Sequence, residues 1–308
     1  MSAYQRISHK SNLLLLGSCF SDDIGRKLQE NGFVTTVNPG GTIFHPLALS
    51  KLLFWALADQ YQPLRIHQRD DVFLSWELSG TFYAMSEQAL NQKFEALYLD
   101  LRGVLQKSSH LLLTFGSSWA YTLCADHELV ANCHKAPSSQ FQKALSNTDT
   151  LRATWKKLID EIRTLNPSLQ IVFTLSPVRH LKDGLVGNNR SKARLILLLE
   201  ELTELPNCTY FEAYELVLDQ LRDYAYFKED GAHPNQKATA AVWEAFKTQF
   251  LDESSLAIIE EWQELQQRSA HQLLYPESQA AKQFQEAIDA DQLAFFKKYP
   301  DFRPPTLF

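Results

Sequence analysis

The sequence contains little cysteine, with four residues in a chain of 308. So few thiols, so widely scattered, cannot form the dense disulfide framework of a small secreted domain. Their number agrees with a reducing compartment, and we expect the chain to be cytoplasmic. The four are Cys19, Cys124, Cys133 and Cys208.

Long apolar segments and blocks of basic residues are also missing. The first ten residues hold no continuous apolar stretch, and the four leucines at 13–16 are too few to span a bilayer or to act as a signal. The formal net charge is −6 and no Lys/Arg block occurs, so the chain lacks the basic surface that nucleic acids require. We therefore expect no membrane and no nucleic-acid partner, and small or neutral partners instead.

The composition, 45% hydrophobic and 12% aromatic, is that of a globular protein. The leucines at 13–16, bounded by Asn12 and Gly17, are typical of a central parallel strand that is buried on both faces. Residues 22–28 then begin an amphipathic helix with acidic residues in its first turn. Ser18 and Cys19 lie between the two, at the sheet edge where open α/β folds bind ligands.

Alternating strand and helix patterns continue along the chain. Further strands are predicted at 32–37, 111–115, 170–175 and 209–211, with helical stretches between them at 46–59, 87–107, 137–165 and 191–205, and hairpins near 71–84 and 121–132. This order predicts an α/β fold, a three-layer α/β/α sandwich around a parallel five-stranded sheet with hairpin insertions. After a last helix at 237–250 the chain stays polar and helix-prone, so we expect a sheet domain at 1–250 and a helical extension at 251–308.

A second polar loop, Asp230-x-x-His233, precedes that last helix. A separation of three residues lets the carboxylate fold back beside the imidazole and hold one ring nitrogen, while the other faces a nucleophile, as acyl transfer requires. The alternative is a purely local helix cap, since Asp and His are common before Pro234 and a helix.

Several short motifs match a known family. They are Gly17-Ser18-Cys19-Phe20-Ser21, Val37-Asn38-Pro39, Thr114-Phe115-Gly116, Asn132-Cys133-His134-Lys135, the residues 176–185, Ser191-Lys192 and Asp230-x-x-His233. On these the chain resembles the GSCFA family of the SGNH/GDSL hydrolase superfamily. The resemblance leaves the residues after 250 unexplained.

The resemblance implies a flavodoxin-like domain that hydrolyses esters, often acetyl or acyl groups on carbohydrates or lipids. For this chain we expect a covalent acyl-enzyme, a small-molecule or carbohydrate ester as substrate, and no cofactor. Carried over by motif, Asp230 orients His233, His233 is the base, and Gly40 or Gly41 supplies a backbone N–H to the oxyanion hole.

Two positions depart from the superfamily pattern. Cys19 occupies the nucleophile position and Ser18 the position of an Asp, although Ser18 would be the nucleophile if the turn were shifted by one residue. A thiol at a helix N-terminus near His233 should have a lowered pKa. The Asn expected after the third strand is missing, and Ser117 or Asn132 could replace it as an oxyanion donor.

Other polar groups have competing interpretations. Arg179 and His180 follow the fourth strand and could bind a substrate carboxylate or phosphate, with His180 as a reserve base. The Cys124-x-x-His127 pair and the Cys133-His134 pair fit no standard zinc spacing, so we expect no metal. A binding module without turnover, and a thiol redox or transfer role for Cys19, are the alternatives to hydrolysis.

Overall fold

The structure, a computed structural model, describes residues 4–58, 62–271 and 274–304. Its strands are β1 (Asn12–Gly17), β2 (Val34–Val37), β3 (Ile66–Arg69), β4 (Val72–Ser75), β5 (Tyr83–Ala84), β6 (His110–Phe115), β7 (Trp119–Leu123), β8 (Leu129–Val130), β9 (Phe141–Leu145), β10 (Gln170–Leu175) and β11 (Cys208–Phe211). Its helices are α1 (Cys19–Glu30), α2 (Pro46–Leu57), α3 (Glu87–Lys107), α4 (Thr148–Leu165), α5 (Gly184–Thr203), α6 (Ala213–Glu215), α7 (Gln236–Phe250), α8 (Glu253–Ser269) and α9 (Gln279–Lys298).

Five strands form one parallel sheet in the order β2-β1-β6-β10-β11. Numbered along the chain, this order is 2-1-3-4-5, the flavodoxin-like arrangement, and it confirms the predicted sheet. The order reverses between β1 and β6, where Gly17 pairs with Thr114 at the carboxyl ends of the two strands. Ligands bind at such a switch point in open α/β sheets, so the loops that follow β1 and β6 define where a site is expected.

The leucines of β1 explain the two helical layers. Because side chains alternate across a strand, Leu14 and Leu16 pack in one buried cluster with helices α2 to α5. Leu13 and Leu15 face the opposite cluster, which contains residues of α1 and α7. Both faces of the sheet are therefore covered, which confirms the three-layer α/β/α sandwich.

Two small antiparallel sheets are inserted between the elements of the main sheet, β3-β4-β5 and β8-β7-β9. The predicted hairpins correspond to β4 with β5 and to β7 with β8. The prediction of one helix over 137–165 was wrong at its start, because residues 141–145 form β9, which pairs with every residue of β7. The helix begins only at Thr148, after Asn147 caps it by accepting from the N–H groups of Asp149 and Thr150.

The residues after 250 form α8 and α9, which pack against the far end of α1. The indole N–H of Trp262 donates to the carbonyl of Glu30 at 3.0 Å, and the N–H of Arg303 donates to the carbonyl of Gly32 at 2.8 Å. Since α1 starts at the carboxyl edge of the sheet, these contacts lie at the opposite edge. None of the described helices is long and apolar enough to cross a membrane.

Candidate active site

The turn after β1 is built on a glycine that no other residue can replace. Gly17 has φ +133°, and a Cβ there would overlap the carbonyl group of Thr114 in the neighbouring strand. The next N–H, that of Ser18, donates to the Thr114 carbonyl at 3.1 Å. Ser18 is then the N-cap of α1 and Cys19 its first residue, so both side chains start at the switch point.

The two candidate nucleophiles differ in environment. Ser18 is 4% exposed, and its Oγ accepts from the N–H of Phe20 at 3.3 Å. Cys19 is half-buried. Burial raises the pKa of the Cys19 thiol, as do the nearby carboxylates of Asp23 and Asp22, while Lys228 opposes them. The expectation of a lowered pKa for Cys19 is therefore wrong in this structure, because burial and two nearby acids raise that pKa.

The loop after β2 is fastened to the nucleophile turn by Asn38. Its Oδ1 accepts from the N–H of Gly17 at 2.8 Å, and its Nδ2 donates to Asp22 at 2.7 Å. The N–H of Gly41 donates back to the carbonyl of Asn38 at 2.7 Å, and this bond occupies it. The N–H of Gly40 has no partner among the described residues, so of the two glycines Gly40 has the available donor.

Asp230 and His233 form a hydrogen-bonded pair. The ring Nδ1 of His233 lies 2.6 Å from Oδ2 of Asp230, whose Oδ1 accepts from the N–H groups of Ala232 and His233 at 2.9 and 3.0 Å. These bonds hold the pKa of Asp230 well below its usual range. With Nδ1–H donated to the carboxylate, Nε2 is left as an acceptor.

The His233 loop lies beside the first turn of α1. His233 is close enough to Asp23 to lower the pKa of that carboxyl, against the larger effect of burial, which raises it. Within the described ranges no hydrogen bond joins His233 to Ser18 or Cys19, and Nε2 has no partner. The structure therefore places the Asp230–His233 pair near the first turn of α1, without a hydrogen bond from His233 to either candidate nucleophile.

The loop after β10 contributes His180 and Arg179. The His180 ring lies 5.4 Å from the ring of Phe44. Burial lowers the pKa of His180 to about 4, helped by the charges of Lys192, His233 and Lys143, so the ring is neutral at pH 7. Arg179 contacts the segment that carries Asp230 and His233: its guanidinium lies 4.6 Å from the centre of the Phe227 ring, and its backbone N–H donates to the carbonyl of Ala232 at 3.1 Å.

The two proposed substitutes for the missing Asn have other partners. Ser117 is 1% exposed, and its hydroxyl lies 3.1 Å from that of Ser191. Asn132 lies in the loop after β8, where its Oδ1 accepts from the N–H of His134 at 2.8 Å. Neither is hydrogen-bonded to the Ser18–Cys19 turn in the part of the chain described.

Lys192 is a site residue to which the sequence motif gave no role. It is 1% exposed, and its Nζ donates to the carbonyls of Gly116 at 2.7 Å and Ser176 at 2.6 Å. Burial lowers its pKa to about 7, and Cys19 is close enough to act on that charge. Its neighbours on α5, Asn188 and Ser191, bond to the loops after β10 and β6.

The helical spacing of the polar residues on α5 could have indicated their place in the site. Positions 188, 191, 192 and 195 share one face of α5, and that face is buried. Polar residues on an otherwise apolar, core-facing stripe indicate that something polar lies opposite. The opposite groups here are the loop carbonyls at the carboxyl edge of the sheet.

The Cys124-x-x-His127 pair and the Cys133-His134 pair are the remaining cysteine and histidine motifs. Cys124 is exposed, and its thiol lies 3.9 Å from the carbonyl of Ser139. Among the residues that the structure describes, no three His, Cys, Asp or Glu side chains are grouped so that they could hold a metal ion.

Fold and site together define an α/β protein whose polar groups meet at the switch point of a flavodoxin-like sheet. The model of the GSCFA family matches residues 12–246, so the chain belongs to the GSCFA family. A comparison with curated proteins gave no match.

Two solved structures with which the chain shows similarity are carbohydrate esterases. One is a carbohydrate esterase family 3 from Talaromyces cellulolyticus, with 10% identity, 82% of this chain and 99% of that chain covered, and a TM-score of 0.32. The other is a family 3 carbohydrate esterase of Clostridium thermocellum, with 9% identity, 81% and 97% covered, and a TM-score of 0.34.

Proposed function

We propose that this protein is an acyl-ester hydrolase of the SGNH kind that works through a covalent acyl-enzyme on Cys19. The observation that carries the proposal is the Asp230–His233 pair, in a loop whose Ala232 carbonyl accepts from the backbone N–H of Arg179 after β10, at the sheet edge where α1 begins. Nε2 of His233 has no hydrogen-bond partner among the described residues. A carboxylate-oriented imidazole beside a nucleophile is the arrangement that acyl transfer needs.

Accessibility favours Cys19 over Ser18 as the nucleophile. The Ser18 hydroxyl is buried and accepts a helix N–H, whereas the Cys19 thiol is half-buried at the start of the helix. Ser18 remains the alternative if the turn moves on substrate binding. Because the pKa of Cys19 is raised, the thiol is protonated at neutral pH and requires a base. Nε2 of His233 is that base. In free enzymes the hydrogen bond between base and nucleophile is often long, and we expect substrate binding to bring Nε2 within hydrogen-bond distance of the Cys19 thiol.

The steps follow from these positions. The sulfur of Cys19 attacks the ester carbonyl as His233 takes its proton, and the oxyanion accepts hydrogen bonds from the N–H groups of Gly40 and Cys19. Collapse of the tetrahedral intermediate expels the alcohol, which receives the proton from His233. Water, deprotonated by the same imidazole, then releases the acid from the thioester. Small-molecule or carbohydrate esters are the proposed substrates.

Hydrolysis of p-nitrophenyl acetate by purified variants tests the proposal. Cys19→Ala and His233→Ala should each lose roughly a thousandfold or more in kcat/KM, and Ser18→Ala should keep most activity. Cys124→Ala, which removes an exposed thiol elsewhere, is the matched control. An inactive Ser18→Ala with an active Cys19→Ala would reverse the assignment, and full activity in every variant would reject the function.

A non-catalytic binding module is the second candidate. It is favoured by the lack of a hydrogen bond, among the described residues, from His233 to Ser18 or Cys19. Iodoacetamide labelling separates the two. Alkylation at Cys19 that slows in His233→Ala indicates an activated thiol, whereas labelling indifferent to His233 in a protein without turnover indicates a binder.

A further inference from the structure

A cleft of about 430 Å³ opens between the two inserted sheets. The β3-β4-β5 side contributes Arg69, Gly80 and Tyr83, and the loop after β8 contributes Asn132 and His134. Its size is within the range of small-molecule sites. The proposed catalytic steps use none of these residues.

His134 brings an unsatisfied acceptor to this cleft. The ring is 4% exposed, and its Nε2 lies 2.7 Å from the carbonyl of Ser75, to which it must donate. Burial lowers the pKa of His134, so the ring is neutral and Nδ1 carries a lone pair. This Nδ1 is buried and has no hydrogen-bond partner among the described residues, which is an unfavourable state for a polar atom.

Asn132 places a donor beside that acceptor. Its Oδ1 accepts from the N–H of His134 at 2.8 Å, so Nδ2 is the amide group left to donate. Both nitrogens face Gly80: a Cβ on Gly80 would lie 3.7 Å from Nδ1 of His134 and 3.9 Å from Nδ2 of Asn132. One acceptor and one donor thus lie within 4 Å of the same point, the position of the side chain that Gly80 lacks.

We propose that this cleft binds a hydroxyl group of a sugar or similar polyol, which donates to Nδ1 of His134 and accepts from Nδ2 of Asn132. A hydroxyl is the group that matches an adjacent acceptor and donor at once. Tyr83, 48% exposed at the cleft, offers an aromatic face to a sugar ring, and Arg69 and Lys135 add donors for further hydroxyls.

The cleft adjoins the candidate oxyanion loop. Gly41 packs so closely on Ser79 that a Cβ there would overlap it, and Gly80 is the next residue. The N–H of Ser79 also donates to the carbonyl of Gly40 at 3.3 Å. A sugar in the cleft would therefore be the alcohol portion of the ester; this assignment rests on the proposed function, whereas the binding itself does not.

Histidine ¹⁵N NMR of the full chain measures the binding directly, with glucose, N-acetylglucosamine and glycerol as probes. We expect a saturable shift of the His134 Nδ1 resonance, assigned by its loss in His134→Gln. Gly80→Ala adds a methyl at ordinary contact distance, so the fold should persist. It and the larger Gly80→Val should weaken binding progressively, the latter by about tenfold or more.

Gly103→Ala is the matched control, because a Cβ there meets nothing within 4 Å. A folded protein in which no probe shifts His134, or in which only inorganic phosphate does, overturns the proposal. So would equal binding by the wild type and Gly80→Val. Ester turnover and sugar binding by the wild type separate the two proposals: sugar binding without turnover rejects only the proposed function, and turnover without sugar binding rejects only the cleft.

Discussion

At the scale of single residues, Asp230 divides its two oxygens between the imidazole and the backbone of its own loop. Oδ2 holds Nδ1 of His233, while Oδ1 accepts two N–H groups that fix the turn. The interpretation of this loop as a helix cap is wrong, because Asn235 caps α7 by accepting from the N–H groups of Lys237 and Ala238. The spacing in the sequence was enough to predict the pair, since both residues lie in one loop.

The oxygen that faces the imidazole can be tested without disturbing the turn. In Asp230→Asn the amide oxygen can still accept from Ala232 and His233, but the amide nitrogen opposes the N–H of Nδ1 and favours the wrong tautomer. We expect kcat/KM on p-nitrophenyl acetate to fall by roughly a hundredfold or more, with little change in melting temperature. Glu229→Gln, an exposed neighbour, is the control, and undiminished activity in Asp230→Asn would leave the pair with a role in the turn only.

Lys192 gives a pH-dependent contribution to stability. Its pKa is about 7 in the folded protein and about 10.4 in the unfolded chain. Between these two pH values the unfolded state binds the proton and the folded state does not, so the free energy of unfolding rises with pH. Below pH 7 both states bind the proton, and the folded state carries the full cost of burying the charge.

The free energy of unfolding of the wild type minus that of Lys192→Met should therefore increase from pH 7 to about pH 9.5, by up to about 1.4 kcal/mol per pH unit. Urea denaturation of both proteins across this range measures the difference, in which titrating groups that do not interact with Lys192 cancel. A flat difference would mean that Lys192 stays charged in the folded protein.

The partners of other site residues could not be predicted, because they lie far apart in the chain. Ser117 bonds Ser191, 74 positions later, and Lys192 bonds Gly116, 76 positions earlier. No local spacing encodes such pairs. The assignments of Ser117 and Asn132 as oxyanion donors stay predictions, as does the substrate role of Arg179.

At the scale of elements, the buried strands were predictable and the inserted ones only in part. The leucines of β1 are buried on both faces, so their composition alone identifies them. Residues 141–145 have a mostly exposed pattern with no apolar alternation, and only pairing with β7 makes them a strand. Edge strands of this kind depend on a partner that the local sequence does not reveal.

The junction between β1 and α1 should be the least tolerant position of the fold. Gly17→Ala combines a positive φ with a clash against the backbone of β6, which cannot yield as a side chain would. We expect a loss of several kcal/mol in the free energy of unfolding, or failure to fold. Gly103→Ala, in the open interior of α3, should instead gain about 1 kcal/mol, and urea denaturation compares them. Equal stabilities would contradict this account of the turn.

At the scale of the whole molecule, the extension after residue 250 packs at the edge of the sheet opposite the candidate site. Phe302, 3% exposed, lies in an aromatic cluster with Trp262 and Phe295 and stacks on His9, close to Gly32 at the end of α1. Through α1 and the N-terminal segment, this cluster supports the edge of the sheet opposite the nucleophile turn. The extension was predicted as helical, but its place could not be, because its polar helices give no partner in sequence.

Phe302→Ala separates a stabilising role from a catalytic one. Removing this ring leaves a cavity among the aromatic side chains, so we expect a loss of about 3–5 kcal/mol in the free energy of unfolding. Activity per folded molecule should be unchanged, because α1 keeps its N-terminal turn as long as the sheet is intact. Leu293→Ala, whose side chain is 72% exposed, is the control and should alter neither quantity.

Urea denaturation gives the stability, and kcat/KM on p-nitrophenyl acetate is measured well below the melting temperature. A fall in kcat/KM under those conditions would show that the extension acts on the site through α1, since no described contact reaches it directly.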